Sequence, residues 1–329
     1  MSNKAAGRTA LVIGATGGVG GAIARRLLAD GWRVTALNRD PDAAAKVPGR
    51  EGLDWIRGDA MVEADVVAAA RGASVVIHGA NPPAYRNWAG LQMPMLSSSI
   101  AAARAAGARL VFPGTVYNYG PDAFPNLTET SPQRPTNRKG AIRVQMERAI
   151  RQAADEGLKV LIVRCGDFFG PQPGNNWLSQ GLVQPGKPIA SVRYPGPLDI
   201  AHGWAYLPDV AETVVRLLAL PDLADFETFH MRGHTQTGAE LVAGLEAAAG
   251  RKLKVAMLPW FAVRAVGAFN ETFREMVEMH YLWEQPVLLV GDRLAARLGA
   301  EPHTPLVEAL RAALAGMDAL PATPQAMAA

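Results

Sequence analysis

The segment Thr9–Gly21, TALVIGATGGVGG, restricts the possible folds more than any other part of the chain. An apolar, β-branched run (Leu11, Val12, Ile13) leads into Gly14, Gly17 and Gly20, and Ala22 to Leu28 then carries apolar residues at helical spacing. That order reads as strand, glycine turn, helix. Gly14 permits the tight turn, Gly17 lets the backbone approach a pyrophosphate, and Gly20 lets helix and strand pack closely. Thr16, Gly18 and Val19 complete the turn, whose amides at the helix start face an anion with the help of the helix dipole. The segment predicts dinucleotide binding; a merely structural turn is the competing reading of three glycines.

The rest of the composition narrows the class. With 33 basic against 30 acidic residues and no basic run, nucleic acid binding has no compositional support. The single cysteine, Cys165, excludes an internal disulfide and, following a β-type run, reads as a buried thiol. There is no charged start followed by an apolar core and cleavage site, and no metal-ligand spacing. The absence of an uninterrupted apolar run of about 18 residues argues against a membrane span. A soluble, cytoplasmic protein is expected. At 329 residues, the chain can bury a sizeable core in one large domain or two smaller ones.

After the first helix, Trp32–Leu37 reads as a second strand ending at Asn38 and Arg39. This is where a dinucleotide-binding unit meets the adenosine ribose. A carboxylate there would suit the free 2′-hydroxyl of NAD; a neutral Asn38 beside a guanidinium favours the phosphate of NADP. A solvated loop arginine is the alternative, and NAD the less favoured cofactor. Leu53–Arg57 and Ser74–His78 read as further strands around a helix from Val62 to Ala70. Asp59 and Ala60 then fall at the adenine pocket and Gly79, Ala80 and Asn81 near the middle of the cofactor. His78 reads as a hydrogen-bonded core histidine. A helix from Trp88 to Ala106, kinked or delimited at Pro94, precedes a strand at Ala108–Phe112 and a polar, aromatic loop, Pro113–Gly120. Pro121–Asn137 reads as an ordered loop, Lys139–Glu156 as a helix and Lys159–Arg164 as a strand.

This alternation predicts an α/β fold, a Rossmann-type doubly wound parallel sheet. Beyond Cys165, repeated Pro-Gly turns, Pro173-Gly174 among them, predict a smaller, irregular C-terminal substrate lobe. Helices are expected near Pro208–Leu220, Thr237–Ala249 and Pro259–Phe269, with a short strand around Leu253–Met257 and a frayed tail from Leu320. The division expected is a dinucleotide-binding domain over 1–170 and a substrate lobe over 171–329, with about 198–232 returning to the first domain.

Taken together, these landmarks resemble the extended short-chain dehydrogenase/reductase superfamily, the NAD-dependent epimerase/dehydratase-like group, over nearly the whole chain. Gly14-x-x-Gly17-x-x-Gly20 matches its glycine motif, Gly58-Asp59 its adenine-side acid, and Gly114–Gly120 its serine/threonine loop. Arg164 through Gly170-Pro171 is similar to the strand and turn after its active-site helix, and Tyr206–Ala211 to its aromatic-x-x-Asp-Val-Ala helix start. Leu298-Gly299 with Pro302 is similar to its closing lobe.

The resemblance implies a hydroxyl holding the substrate oxygen, a tyrosine exchanging its proton, and a lysine four residues on that lowers the tyrosine pKa. Thr115 fits the hydroxyl. Counting back from Glu147, however, the Tyr-x-x-x-Lys pair has become Lys139-x-x-x-Arg143, and no tyrosine in the chain has a lysine four residues later. Arg143 could hold a ribose hydroxyl, and Lys139 could act as an acid if desolvation or Arg143 lowered its pKa. Tyr117 is a second acid/base candidate, against the alternative of loop packing. Trp177, Arg193, His202, Trp204 and Tyr206 fall in segments that the family folds over the nicotinamide end and are substrate-pocket candidates. The expected activity is NADP-dependent oxidoreductase or epimerase chemistry on a carbonyl/hydroxyl group of a small molecule. A catalytically silent cofactor-binding sensor or scaffold is the alternative, and a homodimer is compatible with either.

Overall fold

The computed structural model describes residues 7–82, 87–172, 174 and 176–321. Pro173 of the expected Pro-Gly turn, and the expected frayed tail from 322 on, lie outside the described residues. The first half runs β1 (Thr9–Ile13), α1 (Gly18–Ala29), β2 (Arg33–Asn38), α2 (Pro41–Ala45), β3 (Asp54–Arg57), α3 (Glu63–Ala69) and β4 (Val75–His78). It continues with α4 (Trp88–Ala106), β5 (Arg109–Thr115), β6 (Asn126–Leu127), α5 (Arg138–Asp155) and β7 (Val160–Cys165). The second half holds β8 (Asp167–Phe169), β9 (Ser191–Tyr194), β10 (Ala201–Tyr206), α6 (Leu207–Leu218), β11 (Phe226–His230), β12 (His234–Thr237) and α7 (Gly238–Ala249). The chain then forms β13 (Lys254–Met257), α8 (Trp260–Gly267), α9 (Glu271–Glu278), β14 (Leu288–Leu289), α10 (Asp292–Leu298) and α11 (Leu306–Gly316).

Seven strands form one parallel sheet in the order β11-β7-β5-β4-β1-β2-β3. Both faces are covered, and β1 shows why its sequence is apolar throughout. Ala10 and Val12 pack on one face against α1 and α6, while Leu11 and Ile13 pack on the other against α3, α4 and α5. A strand buried on two faces loses the polar alternation of a half-buried one. Reversal of strand order at β1 and β4 opens the crevice at their carboxyl ends where α/β sheets bind ligands.

Two details differ from the sequence reading. Strand β5 continues through Pro113 and Gly114 to Thr115, paired with β7 up to Cys165. Leu110 donates its amide to Lys159 O of the β7 side and Arg109 to Ser74 O of the β4 side, so the position of Pro113 looks toward β4. Pairing with β4 has already ended at Val111, and no ladder bond is lost there. Pro94 does not delimit α4, which is continuous from Trp88 to Ala106.

The irregular half contains more strand than the turns suggested. Strand β10 lies parallel to β8 and antiparallel to β12, β13 pairs with β9, and β14 with β6 of the expected loop. Strand β11 joins the edge of the main sheet beside β7, and α6 shares a core with α1. A separate core forms around Trp177, Tyr194, Trp204, Leu245, Trp283 and Leu310. No helix among the described residues is long and apolar enough to cross a membrane.

Candidate functional site

The glycine turn is held by packing at two of its three glycines. Gly14 has φ +87°, and a Cβ there would lie 2.5 Å from the Gly79 carbonyl. A Cβ on Gly20 would lie 2.4 Å from Gly14 O. Gly17, by contrast, is the extended N-cap of α1, and among the described residues only Gly14 O, at 3.3 Å, comes near an added Cβ. No side chain caps α1, and its first turn holds no acid. Its first amides therefore keep their capacity to bind an anion.

These amides face a cavity of about 190 Å³. Gly14 and Thr16–Val19 line one wall; His78, Gly79, Ala80 and Asn81 at the end of β4 line the next. Pro113, Thr115 and Arg143 close the inner end, and Phe168, Gly174, Asn176 and Leu207 the top. Asn81 is fixed by a 2.7 Å bond from Gln92 of α4. These residues could hold a dinucleotide, the glycine turn taking its pyrophosphate. Asn38 and Arg39 stand at the end of β2, beside β3 and Asp59. The Asn38 side chain accepts from the Asp40 amide at 2.8 Å, and Asp40 turns its carboxylate to cap α2 at Ala43 N. Arg39 is exposed, while Asp59 accepts from Met61 N next to Ala60. Asn38, Arg39, Asp59 and Ala60 lie outside the cavity lining, at the strand ends that an adenosine would reach.

Thr115 is positioned by a buried network. Its carbonyl accepts from Arg164 Nη1 at 2.8 Å, while Arg164 Nη2 pairs with Glu147 of α5 at 2.7 Å. Burial acts to raise the Glu147 pKa, but Arg164, Gln133 and Arg143 outweigh it and hold the carboxyl below its usual range. The Thr115 hydroxyl accepts from Tyr117 N at 3.3 Å. Arg143 lies with its guanidinium over the rings of Trp88 (5.3 Å) and Phe112 (5.5 Å). His78 is bonded to Ser99 at 2.8 Å, and burial, followed by the nearby Arg143, depresses its pKa to about 3. It sits at the cavity as a neutral ring.

Lys139 and Tyr117 do not line this cavity. Tyr117 is buried with its ring 6.5 Å from that of Trp88. Lys139 is 1% exposed, and its Nζ donates to Glu275 Oε2 at 2.5 Å and to Glu275 O at 2.8 Å. With Trp88, Ile142 and Glu271 these two border a separate cavity of about 120 Å³. Burial is the largest influence on Lys139 and lowers its pKa; Glu275 opposes it without reversing the direction. The like charge that assists is Arg138, not the expected Arg143.

Of the five pocket candidates, the structure brings two together. Trp177 and Arg193 line a cavity of about 300 Å³ with Gln180, Leu258, Phe273 and Met276. Asn176 borders both this cavity and the main one, so the two adjoin. His202, Trp204 and Tyr206 are core residues: His202 pairs with Asp167 at 2.7 Å and stacks on Trp283 at 4.0 Å, and Tyr206 packs on Phe169. Asn176 and Glu275 were not foreseen from sequence. Glu275 carried no signal because it meets Lys139 only through tertiary packing. Among the described residues, no group of three or more His, Cys, Asp or Glu could hold a metal ion.

A glycine turn at a bare helix start, opening on a crevice at the strand ends of a doubly wound sheet, defines a dinucleotide-binding Rossmann protein. The model of the NAD dependent epimerase/dehydratase family matches residues 10–230, and the chain belongs to that family. It is 30% identical over 199 residues to the uncharacterized protein y4nL of Sinorhizobium fredii (strain NBRC 101917 / NGR234), covering 54% of this chain and 55% of that one. It is 29% identical over 176 residues to the dTDP-6-deoxy-L-talose 4-dehydrogenase (NAD(P)(+)) of Kitasatospora kifunensis, covering 51% and 55%. The matched segments thus span about half the length of these curated relatives. The fold is shared with UDP-glucose 4-epimerase from Bifidobacterium longum, solved with NAD+ and UDP, at a TM-score of 0.69 and 16% identity over 94% of this chain and 98% of that one.

Proposed function

We propose that the protein is an NADP-dependent oxidoreductase or epimerase acting on a hydroxyl or carbonyl carbon of a small molecule, of the sugar-nucleotide class. The observation that carries this reading is the single cavity in which the glycine turn, Thr115 and Arg143 meet. Gly14, Thr16, Gly17, Gly18, Val19, Gly20, Gly79, Ala80 and Asn81 hold the central part of the cofactor in this reading. Asn38, Arg39, Asp59 and Ala60 serve its adenosine end, where the carboxylates of Asp40 and Asp59 are engaged by their own turns, that of Asp65 by Asp59 N and that of Asp42 by Arg57. Held there, a nicotinamide would supply the hydride, and the chain would orient it and stabilise charge on the substrate oxygen. Thr115 fixes that oxygen, and Arg143, which stays charged, polarises it. Lys139 is the proton donor of this reading, which requires it to leave its buried pair with Glu275, outside the main cavity lining, for the substrate, while Tyr117 packs on Trp88, over which Arg143 lies.

The adjoining cavity of Trp177 and Arg193 offers an aromatic face and a cation to the nucleotide part of such a substrate. The relatives' names support the sugar-nucleotide class. The test is hydride transfer, read from nicotinamide absorbance, over dTDP- and UDP-linked sugars with NADP(H) and NAD(H). Turnover that prefers NADP(H) is expected, and a panel without any turnover overturns the reading.

One observation favours a second reading, a catalytically silent NADP(H)-binding sensor or scaffold. Lys139 at the tyrosine position is committed to a buried ion pair with Glu275. That reading expects dinucleotide binding and a cofactor-dependent protein partner without turnover, and a Thr115-dependent hydride transfer eliminates it.

A further inference from the structure

The glycine turn has a second cavity on its other side. This one is about 150 Å³, and its wall includes Thr16, Gly17 and Gly18, the same residues that line the main cavity. The opposite wall carries Arg25, Arg50 and Gln172. Arg25 belongs to α1, yet its Nη1 lies 3.3 Å from where Gly21 would carry a Cβ, so the side chain folds back toward the helix start. Arg50 comes from the loop before β3 and donates from Nη2 to Thr16 O at 2.8 Å.

The two guanidiniums lack the counter-charge that other arginines of this chain possess. Arg164 has Glu147, Arg26 has Glu212, and Arg138 has Glu275 and Glu278. No carboxylate acts on Arg25 or Arg50 among the described residues, and Glu51, adjacent in sequence, accepts instead from Gly49 N. Burial lowers the pKa of both arginines, and Arg50 lowers that of Arg25 further, the sign of two cations sharing one partly dry space. Such an arrangement is unfavourable alone and becomes favourable around an anion, which two planar N–H forks can grip through several oxygens.

We propose that Arg25 and Arg50, with the Thr16–Gly18 backbone, form a binding site for a phosphomonoester dianion on the outer side of the glycine turn. Two sources carry that chemistry: the 2′-phosphate of a dinucleotide reaching round Thr16 from the main cavity, or free phosphate. The first source rests on the proposed NADP reading; the second does not. Arg39 is not part of this lining, so discrimination of the 2′-phosphate falls to the pair rather than to the end of β2.

The test compares the intact protein with Arg25→Gln, Arg50→Gln, Arg50→Lys and Arg39→Gln at constant ionic strength. Titration calorimetry reads the affinity for NADPH and NADH; thermal unfolding reads stabilisation by inorganic phosphate against chloride. The expected result is a loss of about tenfold in NADPH affinity in either glutamine variant, with NADH within about twofold, or loss of a phosphate-specific stabilisation present in the parent. Arg50→Lys, keeping the charge without the fork, falls between. If the parent binds neither dinucleotide but phosphate stabilises it through Arg50, the cofactor reading fails and the site stands. If Arg39→Gln alone removes the NADPH preference, while both glutamine variants melt and bind like the parent, the site is overturned and the cofactor reading survives.

Discussion

Lys139 of α5 donates to Glu275 of α9 across 136 positions of sequence, with both residues buried. The bond ties the helix that carries the expected catalytic pair to the helical segment of the C-terminal lobe. Arg138 adds a second pairing to Glu275, from an exposed position. Removing one partner of a buried pair strands the other's charge, which costs about 3 kcal/mol or more when nothing replaces it. Glu275→Gln takes the bonded carboxylate away from Lys139 and is expected to lower stability in urea denaturation. Lys139→Met is expected to lose less, because Arg138 still faces Glu275. A double Lys139→Met, Glu275→Met variant should recover much of the loss; equal destabilisation in all three would mean that the pair is not what holds these helices together.

The three glycines of the turn differ in what they should tolerate. Gly14→Ala and Gly20→Ala place a Cβ 2.5 Å and 2.4 Å from backbone atoms, and in Gly14 at positive φ as well, so both should unfold at lower denaturant than the parent. At Gly17 the backbone is extended and the one near contact is 3.3 Å, which a shift of a few tenths of an ångström relieves. Gly17→Ala should therefore keep near-parental stability while losing about tenfold or more in dinucleotide affinity, since the added methyl stands where the pyrophosphate approaches. A Gly17→Ala protein binding as tightly as the parent would remove the pyrophosphate from this wall.

The legible part of this structure lies in elements whose own sequences carry their environment. Leu11, Val12 and Ile13 are apolar because β1 is covered on both faces, and Gly14 and Gly20 are glycines because backbone passes too close for a side chain. Thr115 and Arg143, singled out through the family resemblance, also meet in one cavity. Long-range partners leave no such local trace. Glu275 and Asn176 are ordinary polar residues of a lobe whose strands are two to six residues long. Pro113 points the other way: a proline ordinarily ends a strand, and β5 tolerates it only because β4 has already stopped pairing. His202, Trp204 and Tyr206 fall in a segment that the resemblance places over the nicotinamide end, yet on β10 they are buried.

Three buried histidines should make stability depend on pH. Burial first, then a neighbouring cation, depresses His78 and His230 to about 3, and burial with His303 depresses His234 to about 4. In the unfolded chain each takes up a proton near 6.5. Their contribution is thus complete above about 6.5 and is lost as pH falls toward their folded values. Between pH 7 and 5 one such histidine removes about 2 kcal/mol. Glu301, raised chiefly by burial, acts oppositely, its contribution present at low pH and lost as pH rises through its folded value. The urea midpoint should fall on acidification from pH 7 to 5, and His78→Asn should flatten that fall. An unchanged slope in His78→Asn would show that the ring takes up its proton at the same pH in the folded and the unfolded chain.

Thr115 offers the sharpest separation of catalysis from binding. Its backbone is fixed by Arg164, which donates to its carbonyl, so removing the hydroxyl should leave the end of β5 in place. Among the described residues the hydroxyl itself accepts from the Tyr117 amide at 3.3 Å, and that 3₁₀ cap is worth about 1 kcal/mol. Thr115→Ala should accordingly bind NADPH within about twofold of the parent while kcat falls about 100-fold, the scale of a lost group that orients and polarises a reacting oxygen. Thr115→Ser, which keeps the hydroxyl, should stay within about tenfold. Arg143→Lys should lower kcat as well, because an ammonium loses the stacking on Trp88 and Phe112 that fixes the guanidinium. Rates measured with saturating cofactor separate these effects from affinity. If Thr115→Ala turns over like the parent, the hydroxyl has no part in the reaction; if the parent itself shows no turnover, the meeting of Thr115 and Arg143 at the cavity serves binding alone.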